Sequence, residues 1–162
     1  MKLLPVRCAA VAAVLLASVV FADDKAEKMS LDKAPKQIQN AVKTRFPGGE
    51  VTSLTKEKEG DKIVFDIELT WKGRKYEMDV HEDGTIAEVE KEKKLDEVPA
   101  ALAGTVKSKH PNAKIQTIME VNMVKGKTET PDHYEVTVKT ADSKEAEVLV
   151  TLDGKSIKEE KK

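Results

Sequence analysis

The stretch that decides the fold is Lys62–Glu90, KIVFDIELTWKGRKYEMDVHEDGTIAEVE. From Ile63 to Trp71, apolar residues alternate with other residues, which is the period-two pattern of a half-buried strand. Lys72-Gly73 and Asp83-Gly84 are signals for tight hairpin turns. The stretch therefore predicts an antiparallel sheet of three consecutive strands, and Val51–Lys56 predicts one further strand before it.

The two turns set the register of this sheet. The first hairpin is predicted to pair Leu69 with Tyr76, Ile67 with Met78 and Phe65 with Val80. The second is predicted to pair Val80 with Ala87 and Met78 with Val89. Because both turns bring apolar residues to the same face, each supports the register of the other.

A helix precedes the sheet, and the whole unit recurs along the chain. Residues 34–51, APKQIQNAVKTRFPGGEV, resemble residues 98–115, VPAALAGTVKSKHPNAKI, at a constant offset of 64. In each copy a proline suits the first helical turn, and a second proline with its neighbours ends the helix. The predicted fold class is α+β, with two tandem units, each consisting of one helix packed on an antiparallel sheet of about four strands. Whether the two sheets are continuous is left open.

Residues 1–22, MKLLPVRCAAVAAVLLASVVFA, have the basic start, apolar run and small-residue end of a secretory signal peptide. The apolar run is shorter than the roughly 20 residues that cross a bilayer, which disfavours the alternative of an uncleaved membrane anchor. We therefore expect an exported protein, periplasmic or secreted, with no stable membrane insertion after cleavage. The predicted organisation is signal peptide 1–22, linker 23–32, first unit 33–92, and second unit 93–162 with a charged C-terminal tail.

The motifs of the two copies carry a family resemblance. Phe46-Pro47-Gly48 and Asp83-Gly84 recur as Pro111-Asn112 and Asp153-Gly154. This arrangement resembles the PepSY-like family, in particular tandem exported forms that are similar to the beta-lactamase-inhibitor protein. The resemblance implies a non-catalytic module that binds an exported protein, with a peptidase or another exported enzyme as the target it inhibits. The alternative is a structural or chaperone-like envelope protein without inhibitory activity.

Composition and motifs exclude several kinds of chemistry. With 28 Lys+Arg against 29 Asp+Glu and 4% aromatic residues, the chain lacks the basic excess of a nucleic-acid binder. Its one cysteine, Cys8, lies in the predicted signal peptide, which leaves no thiol for catalysis or zinc binding. Asp79–Glu90 approaches the spacing of a calcium loop, but His81 occupies a ligand position and the flanks alternate as strands. We therefore predict no cofactor, no metal site and no enzymatic activity.

Acidic residues share the outward face of the predicted sheet, with Lys75 among them. The simplest interpretation is a solvated face, and the functional hypothesis is a surface that binds a partner with basic features. Trp71 ends the apolar face, where a lid on the core is favoured over a binding anchor. The candidate partner-binding residues are Asp66, Glu68, Trp71, Glu77, Asp79 and His81.

Overall fold

A computed structural model describes residues 26–158, so the predicted signal peptide lies outside the described residues. Two helices, eight strands and two short 3-10 segments, Leu31–Lys33 and Leu95–Glu97, make up this part of the chain. The helices are α1 (Lys36–Arg45) and α2 (Leu102–Lys109). The strands are β1 (Glu27–Lys28), β2 (Glu50–Glu59), β3 (Lys62–Trp71), β4 (Arg74–His81), β5 (Ile86–Glu92), β6 (Lys114–Lys125), β7 (Thr128–Lys139) and β8 (Glu145–Thr151).

The eight strands form one antiparallel sheet in chain order. The predicted fold class, α+β with two tandem helix-on-sheet units, is therefore wrong, because residues 26–158 are mostly β, with one sheet and two short helices. Strand β5, the last of the predicted first sheet, pairs with β6 from Glu88–Met123 to Glu92–Met119. Two separate sheets would leave unpaired backbone N–H and C=O groups at each inner edge, and this pairing removes them.

The described residues group into two compact units. The first unit lies within residues 22–93 and 119–132, and the second within residues 94–118 and 133–162. Strands β6 and β7 therefore contribute residues to both units. The boundary predicted between residues 92 and 93 stays a prediction.

The core of the first unit lies between α1 and one face of the sheet. Ile38, Val42 and Phe46 of the helical segment pack against apolar residues of β2 to β5, which are Leu54, Phe65, Ile67, Leu69, Met78, Val80 and Val89. Burying each large apolar side chain contributes roughly 1.5–3 kcal/mol. The helix begins directly after Pro35 and ends before Pro47, where Gly48 takes a positive φ of 76°.

The register of the first hairpin is confirmed in all three predicted pairs. In the second hairpin Met78 pairs with Val89 as predicted, but Val80 pairs with Ile86 instead of Ala87. The register shifts between Asp79 and Val80. Such a bulge adds one residue to one strand, and the turn signal alone does not encode it.

The core of the second unit joins Leu102 and Val106 of α2 to strands β6 to β8, through Ile118, Tyr134, Val136, Val138, Val148 and Val150. Gly154, with φ of 73°, lies against the start of α2, where an added Cβ would come within 3.0 Å of Pro99 Cβ and Leu102 N. Thr105 Oγ1 donates a hydrogen bond to the Gly154 carbonyl at 2.6 Å. This turn therefore needs glycine for both its conformation and its close approach to the helix.

Across residues 26–158, neither helix has the length and apolar character needed to cross a membrane.

Candidate functional site

Carboxylates form two rows across β3, β4 and β5 on the sheet face opposite to α1. One row consists of Asp66, Asp79 and Glu88, and the other of Glu68, Glu77 and Glu90, each paired with the next across the strands. We call these six residues the carboxylate face. Directly opposed residues of an antiparallel sheet lie about 4.5–5.5 Å apart at Cβ, where like charges destabilise the pairing.

Lys75 offsets part of this repulsion. Its Nζ lies 3.2 Å from Glu68 Oε2 and 2.8 Å from Glu77 Oε1. Burial lowers the pKa of Lys75, but its hydrogen bonds to Glu77 and Glu68 outweigh this and leave the pKa above its usual value. Because the Lys75 side chain is 40% exposed, each bond contributes at most about 1 kcal/mol.

Asp66 has a strongly raised pKa. Burial, followed by repulsion from Glu77, Glu68 and Glu57, raises the pKa of Asp66 to about 7. The attraction of Lys75, which bonds to the two glutamates instead, does not offset this. The charge of the carboxylate face therefore changes near neutral pH, where Asp66 gains or loses its proton.

Glu88 and Glu90 belong to the face although the sequence did not identify them as candidates. They are only 4% and 6% exposed, and both have polar or electrostatic partners in the protein. Their neighbours across on β6 are Met123 and the buried Val121. A signal for them was present, because pairing Met78 with Val89 places Glu88 and Glu90 beside the acidic residues of β4.

His81 lies at the end of the same face, opposite Val64. Its Nδ1 is buried and has no hydrogen-bond partner among the described residues. Five of the six predicted site residues are therefore on one face: Asp66, Glu68, Glu77, Asp79 and His81.

The sixth, Trp71, lies on the other face, over the core. Its Nε1 donates a hydrogen bond to the Pro47 carbonyl at 3.0 Å. Its ring makes edge contacts with Phe46 and Tyr76, at centroid distances of 5.5 and 5.9 Å. These contacts are those of a lid on the core, and they hold the chain where it leaves α1.

Within residues 26–158, His, Cys, Asp and Glu side chains form no group of three or more that could hold a metal ion. The carboxylates instead form two rows that cross β3, β4 and β5, with Glu88 and Glu90 buried and the other four residues partly exposed.

Comparison with known proteins agrees with this architecture. Residues 33–90 match the PepSY family, described as "Peptidase propeptide and YPEB domain". Residues 33–90 are therefore PepSY-like. The match includes α1, most of β5 and all six residues of the carboxylate face, and it confirms the predicted resemblance for the first of the two copies.

Solved structures with low sequence identity share the fold of this chain. A candidate periplasmic protein from Bacteroides eggerthii is 18% identical, with 76% of this chain and 85% of that chain covered and a TM-score of 0.56. A BLIP-like protein from Bacteroides fragilis is 19% identical, with coverages of 79% and 85% and a TM-score of 0.50. A DUF2874 family protein from Bacteroides uniformis is 18% identical, with coverages of 75% and 84% and a TM-score of 0.54. No curated protein matches this sequence.

Proposed function

We propose that this protein is an exported, non-catalytic module that binds another exported protein through Asp66, Glu68, Glu77 and Asp79, the partly exposed residues of its carboxylate face. The observation that carries the proposal is the pair of carboxylate rows on β3 to β5, with Asp66 at a pKa of about 7. The PepSY match supports a binding role. Export is supported by the signal-peptide pattern of residues 1–22 and by the periplasmic description of the Bacteroides eggerthii protein.

The electrostatics favour a partner with Lys or Arg side chains in the contact surface. A cation placed beside Asp66 relieves its repulsion with Glu68 and Glu77, and thereby lowers its pKa. At pH 7 binding would therefore release a proton from Asp66. We favour a peptidase or another exported enzyme as the partner, with inhibition as the consequence of binding, because the matching family is described as a peptidase propeptide domain and one protein with this fold is described as BLIP-like.

Affinity capture from an extracytoplasmic extract tests the proposal, with residues 23–162 as bait. The test variant reverses Glu68, Glu77 and Asp79 to Lys. A matched control reverses three exposed acidic residues elsewhere, Asp61, Asp96 and Glu145, and changes the net charge by the same amount.

We expect the wild-type and control baits to enrich one exported protein, and the test variant to bind it at least about tenfold more weakly. Its activity, measured with and without the bait, then decides whether binding inhibits. Equal capture by the test variant would exclude the carboxylate face as the binding surface. Recovery of only abundant envelope proteins would favour the structural or chaperone-like role instead.

A further inference from the structure

An open groove of about 520 Å³ runs along α1 in the first unit, between this helix and the turn that joins β4 to β5. Gln37 holds the turn at one end, because its Nε2 donates a hydrogen bond to the Glu82 carbonyl at 2.9 Å. Ala41 and Ile86 also line the groove, and both pack against the apolar core of the unit. The groove therefore has a fixed apolar base, and its volume is in the range of sites that hold small ligands.

Opposite charges mark the two ends of the groove. Asp83 lies in the turn, and the hydrogen bond from the Thr85 amide lowers the pKa of its carboxyl, which is therefore ionised at neutral pH. Arg45 is the last residue of α1, and its guanidinium contacts the carboxylate of Glu129. A guanidinium has five N–H donors, of which one carboxylate takes at most two, so Arg45 can hold a second carboxylate.

Polar side chains lie between these ends. Asn40 and Thr44 line the groove and are exposed, and neither uses its side chain in a hydrogen bond within residues 26–158. An amide group both donates and accepts, so Asn40 can pair with the N–H or the C=O group of a peptide backbone. From Gln37 to Arg45 the helix rises about 12 Å, which matches about four residues of an extended chain.

The second copy of the repeat lacks the polar side chain at the centre of this groove. Gly104 of α2 takes the place of Asn40, and a Cβ added there would meet no atom within 4 Å. Thr105, in the place of Ala41, donates a hydrogen bond to the Gly154 carbonyl of the matching turn at 2.6 Å. The same contact between helix and turn therefore forms without the amide, which leaves the Asn40 amide available for a ligand.

We infer that this groove binds an extended peptide segment of about four residues, with a lysine or arginine at the Asp83 end and a glutamate or aspartate at the Arg45 end. The backbone of the segment pairs with the Asn40 amide, and its side chains contact Ala41 and Ile86. Charge sets the specificity, because a segment that is acidic at both ends would meet the like charge of Asp83. The groove lies on the α1 side of the sheet and the carboxylate face on the other side, so the inference does not rest on the function proposed above.

A peptide titration of residues 23–162, followed by nitrogen-15 NMR, tests the inference. The probe is acetyl-KTTE-amide, and acetyl-QTTQ-amide is its uncharged counterpart with the same net charge. The side-chain amide signals of Gln37 and Asn40 report directly on the groove. Asn40→Ala removes the central amide, and Arg45→Gln removes the charge at one end. Lys43→Ala is the matched control, because it removes one positive charge from an exposed residue of α1 that does not line the groove.

We expect the wild type to bind acetyl-KTTE-amide at least about threefold more tightly than acetyl-QTTQ-amide, since hydrogen bonds between charged groups are stronger than neutral ones. Asn40→Ala and Arg45→Gln should each bind the charged probe at least about threefold more weakly than the wild type. Arg45→Gln should also reduce the difference between the two probes. Lys43→Ala should bind both probes as the wild type does.

Equal affinity of the wild type and Asn40→Ala for the charged probe would overturn the inference, and so would Gln37 and Asn40 signals that do not move at about 10 mM peptide. An equal loss of affinity in Lys43→Ala and Arg45→Gln would also overturn it, because only the net charge of the helix would then matter. Backbone amide spectra report whether each variant is folded. If Arg45→Gln is not, Asn40→Ala gives the decision, because Asn40 is exposed and alanine favours the helix.

Discussion

Replacing Asp66 by Asn should stabilise the protein, and by more at pH 8 than at pH 5. The pKa of Asp66 is raised from 3.8 to about 7 in the folded protein, by burial and then by Glu77, Glu68 and Glu57. Between these two pKa values the folded state binds a proton that the unfolded state does not, so stability decreases as the pH rises toward and through 7. Asn has nearly the same shape and no charge, and therefore removes this loss.

The size of the effect follows from the pKa. The value of about 7 lies roughly two units above pH 5, and one unit corresponds to about 1.4 kcal/mol. The stabilisation by Asp66→Asn can therefore be at most about 3 kcal/mol larger at pH 8 than at pH 5. Asp66 lies partly open to solvent, which screens its charge, and we expect about 1 kcal/mol.

Urea unfolding at pH 5 and pH 8 measures this difference for the wild type, Asp66→Asn and the control Asp61→Asn, which changes an exposed residue in the turn before β3. The control should show no gain of stability at pH 8 over pH 5. Carbon-13 NMR of the Asp66 carboxyl gives its pKa directly. A titration near 3.8, or an equal effect of Asp66→Asn at both pH values, would refute the reasoning.

Two further predictions concern the elements that hold the two cores. Gly154→Ala should lower the free energy of unfolding by about 2–4 kcal/mol, because φ is positive at this residue and the new Cβ would contact Pro99. Gly60 also has a positive φ, but no atom lies near its Cβ position, so Gly60→Ala should lower the free energy of unfolding by only about 1 kcal/mol. Urea unfolding compares the two, and equal losses would show that the contact with Pro99 has no effect. Trp71→Phe should cost about 1 kcal/mol, since it removes the hydrogen bond to Pro47 and keeps an aromatic ring. Thermal unfolding checks this, and an unchanged midpoint would contradict a contribution from that bond.

The hairpins of β3, β4 and β5 could be predicted, because each depends only on residues that are close together in the sequence. The turns at Lys72-Gly73 and Asp83-Gly84, combined with alternation, were sufficient for the register of β3 with β4 and for the pairing of Met78 with Val89. The same register brings Asp66 and Asp79 together on the face opposite to the core. A hairpin needs only its turn and its apolar face, and both are contained in one short stretch of sequence.

The long-range pairing could not be predicted in this way. Strand β5 pairs with β6 across the segment that contains α2, and no turn connects them. Strand β5 continues through charged residues to Glu92 and pairs on both sides. Glu88 and Glu90, which are buried, pair with Met123 and Val121 of β6, so their surroundings include a strand whose position the sequence did not predict.

The carboxylate rows and the apolar core together explain how the sheet tolerates repulsion on one face. The register is fixed by the side chains that α1 covers, so the opposite face can carry opposed acidic residues without a slip of the strands. The repulsion still has a consequence, because the folded state loses stability when Asp66 ionises. A basic partner that binds this face lowers that cost, and by linkage its binding must stabilise the fold. Asp66→Asn should therefore have two effects together. The variant gains stability at pH 8, and it no longer releases the proton that we expect the wild type to release on binding its partner.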